Sequence, residues 1–507
     1  MREGRLLTFY RLALNKRLKR RNIMFHFARS ASRKQAVELS SSTYIFGFIL
    51  LVFLPFFAFF GLKKSAFFSY EQILFVCVLL VAVVMWIFRL FADFIPGIFL
   101  LLTVLVFGLV PVNVVLSGLS SATFIMVMSL SAVAIVAIDS GLLNRLLLVS
   151  MARLPKKSFI YHLFIFLVGI LLTSIIPSIA TRCQLMAPFL LKIFQLLGVE
   201  DNQKTKTYFV LSGFTAVTLF ASVFLSSSLM NFVVLGFLPV QEQVQFQWIG
   251  WIHASAVYGG ILFIFSFVLT WIFSSLSSGI HISTDYLKSE KGNLGPVNTK
   301  EWTTLICIVF FSVGILTFYL HKINPAWLSF FLLFVLLGVG LISKKDFQSR
   351  IDWPFLLFLA SAIGIVSCAN YLGLDVWFSG VLLNYVHQII ENESQFYVLI
   401  ILFTLAVRLV LPIPAAVTLI CAVLLPVTTA FGLNPWLVSF IVLVCADVAF
   451  MPYQNLFYVD FAGALTNEEG KLIYNQTTFL LFNALINLCK FIALWGSIPY
   501  WKQIGLL

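Results

Sequence analysis

The sequence SIIPSIATR occupies residues 174–182, in the middle of the apolar stretch 158–194. Its proline and hydroxyl groups would lie halfway along what is otherwise a membrane span. Such groups are tolerated at that depth only where the backbone faces protein or a water-filled cavity. We therefore predict a re-entrant hairpin near 158–195, with Pro177 at or close to its tip.

A second apolar stretch, residues 396–429, is interrupted by RLVLPIPAAVT at 408–418. The segment Ile-Pro-Ser-Ile-Ala-Thr of the first interruption returns here as Ile-Pro-Ala-Ala-Val-Thr. Each copy follows three predicted spans and precedes a long helix broken by polar residues, and an odd number of crossings separates the copies. The pattern predicts an inverted repeat with a second hairpin near 396–430 and Pro414 close to its tip. Such repeats are typical of secondary transporters with a site at the membrane midplane.

The composition of the chain places it in a membrane. Of its 507 residues, 61% are hydrophobic and 10% are charged, whereas soluble domains are about 45–50% apolar and about 25% charged. This balance excludes a water-soluble enzyme. At about 20 apolar residues per crossing, we predict an all-α polytopic membrane protein with about 11 transmembrane helices plus the two hairpins.

The patterns divide the chain into five segments: a basic amphipathic cytoplasmic arm at 1–42, a first transmembrane helix at 43–70, a first inverted repeat at 71–275, a cytoplasmic linker at 276–301, and a second inverted repeat at 302–507. The arm is expected to lie on the anionic cytoplasmic leaflet. The net charge of +13 is concentrated in the arm and in short loops, so it reports topology and not nucleic-acid binding. The positive-inside rule puts the N-terminus in the cytoplasm and the C-terminus outside what we expect to be a bacterial cell membrane.

Polar side chains cluster at the two interruptions and in the broken helices that follow them. Upturned N–H groups at helix breaks can hold a carboxylate, and hydroxyl, amide and carbonyl oxygens can bind a hard cation. The predicted substrate-binding residues are Ser178, Thr181, Arg182, Ser227, Ser228, Asn231, Thr418, Gln454 and Asn455. The predicted ligands of a coupling sodium ion or proton are Ser174, Ser178, Ser226, Asn231 and Asp447. The alternative is that the hydroxyl groups only satisfy carbonyls of their own helices.

Arg182, Arg408 and Asp447 are charged residues within predicted spans, where ionisable groups are functional by default. We expect Arg182 to contact an anion, whereas Arg408 either contacts the anion or extends to a membrane interface. Asp447 either carries a coupling proton or cation, or pairs with Arg408. The histidines and cysteines are dispersed and show no CxxC spacing, so we expect no transition metal and no cofactor beyond a possible sodium ion.

The pattern resembles the divalent anion/sodium symporter family, within the wider ion-transporter superfamily. The stretches that carry the resemblance are LSGLSSA at 116–122, DSGLLNRL at 139–146, Ile176-Pro177-Ser178 with Arg182 and Pro188, FLSSSLMN at 224–231, WIGW at 248–251, and DWP at 352–354 with the run to Gly373 and Leu374. The resemblance implies a homodimer in which a scaffold holds a mobile part that carries both hairpins and moves like an elevator.

The same resemblance implies that each hairpin tip binds sodium and a substrate carboxylate through a Ser-Asn-Thr signature. Here the first tip keeps only Ser178, which is followed by isoleucine and alanine. The second tip offers Ala415 or Ala416, then Val417 and Thr418. The loss of both asparagines removes an amide oxygen for sodium and an N–H donor for carboxylate at each tip.

The expected function is secondary active transport of a small anion, either a di- or tricarboxylate or an inorganic oxyanion such as sulfate. The transport would be coupled to sodium or protons, or would be an exchange. The alternatives are an arsenite or sodium/proton antiporter that depends on Asp447, a membrane-embedded enzyme, and a non-transporting receptor. We do not expect an enzyme, because the six histidines form no cluster at a membrane face. The expected partners are the small anion, membrane lipid and a second copy of the chain, and not nucleic acid.

Overall fold

The computed structural model describes residues 41–64, 68–151, 153–155, 157–278, 296–374, 376–377, 380, 393–430, 432–449, 455–467 and 470–507. Nearly all of the predicted arm, most of the predicted linker, and Gln454 lie outside these ranges. Every regular element within them is helical. In chain order the helices are α1 (Ser41–Lys64), α2 (Tyr70–Ile87), α3 (Phe94–Val106), α4 (Val112–Val115), α5 (Ala122–Asp139), α6 (Leu142–Met151), α7 (Ser158–Ile175), α8 (Ile179–Leu197), α9 (Gln203–Thr218), α10 (Leu229–Phe237), α11 (Val240–Gln245), α12 (Trp248–Ala254), α13 (Ala256–Leu276), α14 (Thr299–Leu316), α15 (Phe318–His321), α16 (Pro325–Gly338), α17 (Lys344–Arg350), α18 (Trp353–Tyr371), α19 (Glu393–Arg408), α20 (Ile413–Ala430), α21 (Pro435–Ala446), α22 (Leu456–Ala464), α23 (Gln476–Gly496) and α24 (Ile498–Gln503).

Eight of the described helices are long and apolar enough to cross a membrane, and five shorter helices are also apolar. This confirms the predicted all-α polytopic membrane protein. The first of the eight, α1, lies where the sequence predicted a first transmembrane helix. The number of crossings and the limits of the two repeats stay predictions.

The first predicted hairpin consists of α7 and α8, which are separated by a three-residue break that contains Pro177. The outer ends of these helices lie together. Near the start of α7, His162 is hydrogen bonded to the hydroxyl of Ser277 at 3.0 Å. Just after α8, Thr205 donates to the carbonyl of Ser278 at 2.9 Å. The chain therefore reverses at Pro177, as a hairpin requires.

The second predicted hairpin consists of α19 and α20. The break between these helices contains Pro412, whereas Pro414 lies two residues further on, in the first turn of α20. Proline is accepted in the first turn because its missing N–H has no intrahelical partner there. Pro414 is thus close to the second tip, as predicted, while Pro412 is the proline within the break.

A broken helix follows each hairpin, as the sequence predicted. Residues 219–228 separate α9 from α10 and include a short 3₁₀ turn, Leu225–Ser227. Residues 447–455 separate α21 from α22. Both helices of the first hairpin pack on α9, and both helices of the second pack on α21. Each hairpin is thus joined to the first half of its own broken helix.

Helices from the two halves of the sequence pack together beside these elements. α18 packs on α3 and α4, and α16 packs on α5. The contact requires glycine at residue 118, because a Cβ there would lie 1.9 Å from the carbonyl oxygen of Ala360 in α18. We call α2 to α5 together with α16 and α18 the scaffold helices.

Candidate functional site

A cavity of about 370 Å³ lies between the two hairpin breaks. Its wall contains the first or second residue of four helices that begin at a break: Ile179 of α8, Leu229 of α10, Ile413 of α20 and Phe457 of α22. The N-terminus of a helix carries unpaired N–H groups and roughly half an elementary positive charge. These four N-termini place positive potential at the cavity, whose wall also contains Asp93, Asp352 and Asp447.

Four of the predicted site residues are part of the cavity wall: Ser178, Ser228, Asn231 and Asp447. Ser178 is the N-cap of α8, and its Oγ accepts from the Thr181 N–H at 3.3 Å. Ser228 is the N-cap of α10, and its Oγ accepts from the Met230 N–H at 3.2 Å. Because an accepting hydroxyl keeps its own proton, both caps can still donate to a bound anion.

Most of the other predicted site residues lie behind the wall. Ser226 donates to the Ser174 carbonyl at 2.7 Å and so joins the first broken helix to the end of α7. Ser227 donates to the Ala221 carbonyl at 2.6 Å within the break itself. Thr418 is fully buried in α20. Ser227 satisfies a carbonyl of its own break, in line with the alternative interpretation. Ser226 differs, because its acceptor belongs to another helix.

Arg182 is buried behind the wall and makes its contacts with backbone carbonyls. Its Nε donates to the Val217 carbonyl at 2.9 Å, near the end of α9. Its Nη1 donates to the carbonyls of Ile176 at 2.7 Å and Ser227 at 2.5 Å. The guanidinium thus links the hairpin tip to both sides of the first broken helix. Only the Nη2 atom has no hydrogen-bond partner within the described chain. To bind an anion as predicted, the Arg182 guanidinium would therefore have to give up hydrogen bonds to these carbonyls.

Arg408 makes the equivalent contacts in the second half. Its Nε donates to the Ala446 carbonyl at 2.9 Å, at the end of α21, and its Nη1 donates to the Leu411 carbonyl at 2.9 Å. Leu411 precedes the tip proline of the second hairpin, as Ile176 precedes that of the first. Unlike Arg182, Arg408 is also part of the cavity wall. The two arginines therefore bind a tip and a helix break in each half, from different positions along the hairpins.

Asn231 bridges the first break from within α10. Its Nδ2 donates to the carbonyls of Ala221 and Phe224, both at 2.8 Å. Two carbonyl acceptors fix which end of the amide is nitrogen, since oxygen in that place would be repelled. The opposite atom, Oδ1, is buried and has no hydrogen-bond partner among the described residues. An unsatisfied buried acceptor at a cavity wall is available to a cation or to a donor on a ligand.

Asp447 follows α21 at the second break, and its carboxylate accepts from the Lys490 ammonium of α23 at 2.7 Å. Behind them a small polar pocket of about 20 Å³ is lined by Asn455, Asn483 and Asn487. Such a volume suffices for about one water molecule. Asp447 belongs to the walls of both this pocket and the cavity, so it separates the two.

Lys490 is a candidate site residue that the sequence analysis did not name. A signal for it exists: Asn483, Asn487 and Lys490 are spaced four and three residues apart in an otherwise apolar span. Residues with this spacing share one face of a helix. A lysine in a span, on the same helix face as two asparagines, indicates a buried polar cluster.

A family model described as the sodium:sulfate symporter transmembrane region matches residues 39–460. The chain is 23% identical over 325 residues to a citrate/succinate antiporter of Escherichia coli strain K12, which covers 62% of this chain and 65% of the relative. It is 18% identical over 323 residues to a membrane protein of Cupriavidus necator, which covers 62% of each chain. The chain thus spans slightly less than two thirds of the length of these relatives.

The structure is similar to the crystal structure of the Alcanivorax borkumensis YdaH transporter, with a TM-score of 0.52. The alignment covers 78% of this chain and 88% of that chain, at 14% sequence identity. At this identity the likeness concerns the fold alone. The family match agrees with the resemblance seen in the sequence, and the chain belongs to the divalent anion/sodium symporter family of multi-pass membrane transporters.

Proposed function

We propose that this protein is a secondary active transporter that exchanges small multivalent anions, with di- and tricarboxylates as the first substrates to test. The observation that carries the proposal is the cavity between the two hairpin breaks, because both halves of the chain contribute to one site. Its volume lies near the lower end of the range of about 300–1,000 Å³ that is typical of small-molecule sites. Citrate and succinate are the substrates in the name of a relative.

The balance of buried charge supports an anionic substrate. Three buried basic side chains, Arg182, Arg408 and Lys490, accompany the partly buried Asp447. The four helix N-termini add positive potential. Two exposed carboxylates, Asp93 and Asp352, also line the cavity wall, so the preference for an anion over a cation rests on the buried bases and the helix N-termini. An inorganic oxyanion such as sulfate fits the same chemistry and is the second candidate.

The ion pair of Lys490 with Asp447 favours anion exchange over anion uptake that is driven by two or more sodium ions. A sodium ion at the second break would need the carboxylate of Asp447, which the ammonium of Lys490 already binds at 2.7 Å. A lysine is attached to the chain and is not released, so it neutralises the carboxylate without drawing on an ion gradient. The first break still offers Ser178 and the free Oδ1 of Asn231 to a single sodium ion.

The arginine contacts support a movement in which each hairpin travels with its broken helix. Arg182 joins the first tip to both sides of its break, and Arg408 joins the second tip to the end of α21. Elements joined in this way would move as one body past the scaffold helices. We therefore propose elevator-type alternating access in a homodimer. The apolar exposed face of α1 would contact lipid.

The test is transport in proteoliposomes that contain the purified full chain. Uptake of labelled succinate would be measured in competition with citrate, sulfate, phosphate and a monocarboxylate such as lactate. We expect succinate and citrate to compete strongly, sulfate weakly and lactate not at all. Equal competition by lactate, or no uptake of any anion into loaded vesicles, would contradict the proposal.

A further inference from the structure

Arg89 is an exposed residue of the cavity wall and belongs to the scaffold side of the site. It lies two residues after the end of α2, which packs against α1 and α3. The same wall contains Ser178 of the first hairpin and Pro412 of the second. Within the described chain no hydrogen bond or ion pair of the Arg89 guanidinium is present. Its charged neighbours include Asp93, which attracts it, and Arg408, which repels it, and the same wall also contains Asp352 and Asp447.

The backbone of Arg89 has a conformation that favours glycine. Its φ is 47°, in the left-handed region. The Arg89 N–H donates to the Trp86 carbonyl at 3.3 Å, and the Leu90 N–H donates to the Met85 carbonyl at 3.1 Å. This pair of bonds is the Schellman motif that ends many helices, and its left-handed residue is usually glycine. Among the described residues, Lys322 alone shares the feature of a side chain at positive φ, at 55°.

A strained position supports an inference of function when the side chain has a task there. Attraction to the negative C-terminal end of α2 does not explain Arg89, because a basic residue within the last helical turn would gain the same attraction without strain. The left-handed backbone instead determines where the side chain goes, and Arg89 is part of the cavity wall.

We propose that Arg89 is a substrate-contact residue supplied by the scaffold, which donates to a carboxylate or oxyanion in the cavity. This inference rests on the proposed function. Because α2 belongs to the scaffold, the contact exists only in the conformation described here and is lost when the hairpins move away. Arg89 therefore raises anion affinity on one side of the membrane and sets the difference in affinity between the two sides.

The test uses Arg89→Gly and the matched control Lys322→Gly. Both changes remove a cation and relieve the same backbone strain, so neither should lower the melting temperature. For Arg89→Gly we expect about a tenfold loss of succinate or citrate affinity, measured by ligand-induced thermal stabilisation of the purified protein. The Michaelis constant for exchange should rise on one membrane face only. Arg89→Lys should lose less affinity than Arg89→Gly, and Lys322→Gly should bind the anion as tightly as the unmodified protein.

Unchanged affinity in Arg89→Gly, or an equal change on both faces, would overturn the inference. In that case the unmodified protein would still exchange anions, and the proposed function would stand. Failure of the unmodified protein to exchange any anion would instead overturn the proposed function. A melting temperature that falls in Arg89→Gly but not in Lys322→Gly would show that Arg89 stabilises the fold and would also overturn the inference.

Discussion

Lys490 and Asp447 form an ion pair at 2.7 Å that connects α23 to the second helix break. The lysine side chain is 8% exposed and the aspartate side chain is 27% exposed. The aspartate faces the cavity, and the lysine lies behind it beside a pocket with room for about one water molecule. The second half of the site thus contains a positive charge that belongs to the chain itself, the ammonium of Lys490.

Lys490→Gln should destabilise the protein, because it leaves the carboxylate of Asp447 without its partner. Removal of one member of a buried pair costs about 3–5 kcal/mol, and the partial exposure of Asp447 reduces that cost. We expect a lower melting temperature in sodium-free buffer, and partial recovery when sodium ions bind the vacated carboxylate.

The control for this prediction is the double variant Asp447→Asn with Lys490→Gln, which has no unpaired charge. It should regain stability and show no response to sodium. A single variant that melts at the temperature of the unmodified protein would contradict the assigned role of the pair.

Arg182→Gln should lower stability more than it lowers substrate affinity. The guanidinium satisfies carbonyls on both sides of the first break, and glutamine cannot reach all of them. We expect a loss of about 3 kcal/mol in unfolding free energy, since bonds to charged donors contribute about 1.5–3 kcal/mol each. Arg182→Lys should recover only part, because an ammonium lacks the planar fork. If Arg182→Gln kept its stability but bound anions much more weakly, the result would support the direct contact between Arg182 and an anion that the sequence predicted.

Asn231→Asp should abolish exchange, because it places a negative oxygen against the carbonyls of Ala221 and Phe224. Leaving these carbonyls unsatisfied costs about 1–3 kcal/mol, and like charge adds to that cost. Ser228→Ala is the milder comparison, since it removes the cap of α10, at a cost of about 1 kcal/mol, and one hydroxyl of the cavity wall, but leaves the amide bridge of the break intact. Comparable exchange rates for the two variants would argue against the bridging role of the amide.

Gly118→Ala should disrupt the scaffold, since its Cβ would lie 1.9 Å from the Ala360 carbonyl oxygen. The backbone of α18 cannot move away without losing its packing on α3 and α4. A helical glycine with open space around it, Gly338, provides the control. Gly338→Ala should be neutral or stabilising by up to about 1 kcal/mol. The two variants are compared by melting temperature and by yield of folded protein.

The sequence predicted the helical class and the two interruptions because a membrane tolerates proline and hydroxyl groups at mid-span only where the backbone faces protein or water. It placed Pro177 within the first break and Pro414 close to the second, but it did not single out Pro412 as the proline of the second break, since the matching Ile-Pro pair opens the helix there. Local repetition of residues does not determine where a helix begins when proline is equally acceptable within its first turn.

The arrangement of the site could not be predicted as well, because it depends on contacts between distant segments. Arg182 and Arg408 follow and precede their tip prolines, so their common contacts with freed carbonyls emerge only from the folded chain. Lys490 lies 43 residues beyond Asp447, and only the packing of α23 brings the two together. The sequence around Arg89 is that of an ordinary helix end, and the positive φ of this residue is visible only in the structure.

The most direct measurement is the dependence of uptake on the contents of the vesicle. Proteoliposomes with equal sodium concentrations inside and outside would be loaded with unlabelled succinate or with buffer alone, and then given labelled succinate or citrate outside. Exchange with a fixed Lys490 cation predicts rapid uptake into succinate-loaded vesicles and at most a few per cent of that rate into empty ones. Uptake into empty vesicles that needs an inward sodium gradient, with two or more sodium ions per anion, would contradict it.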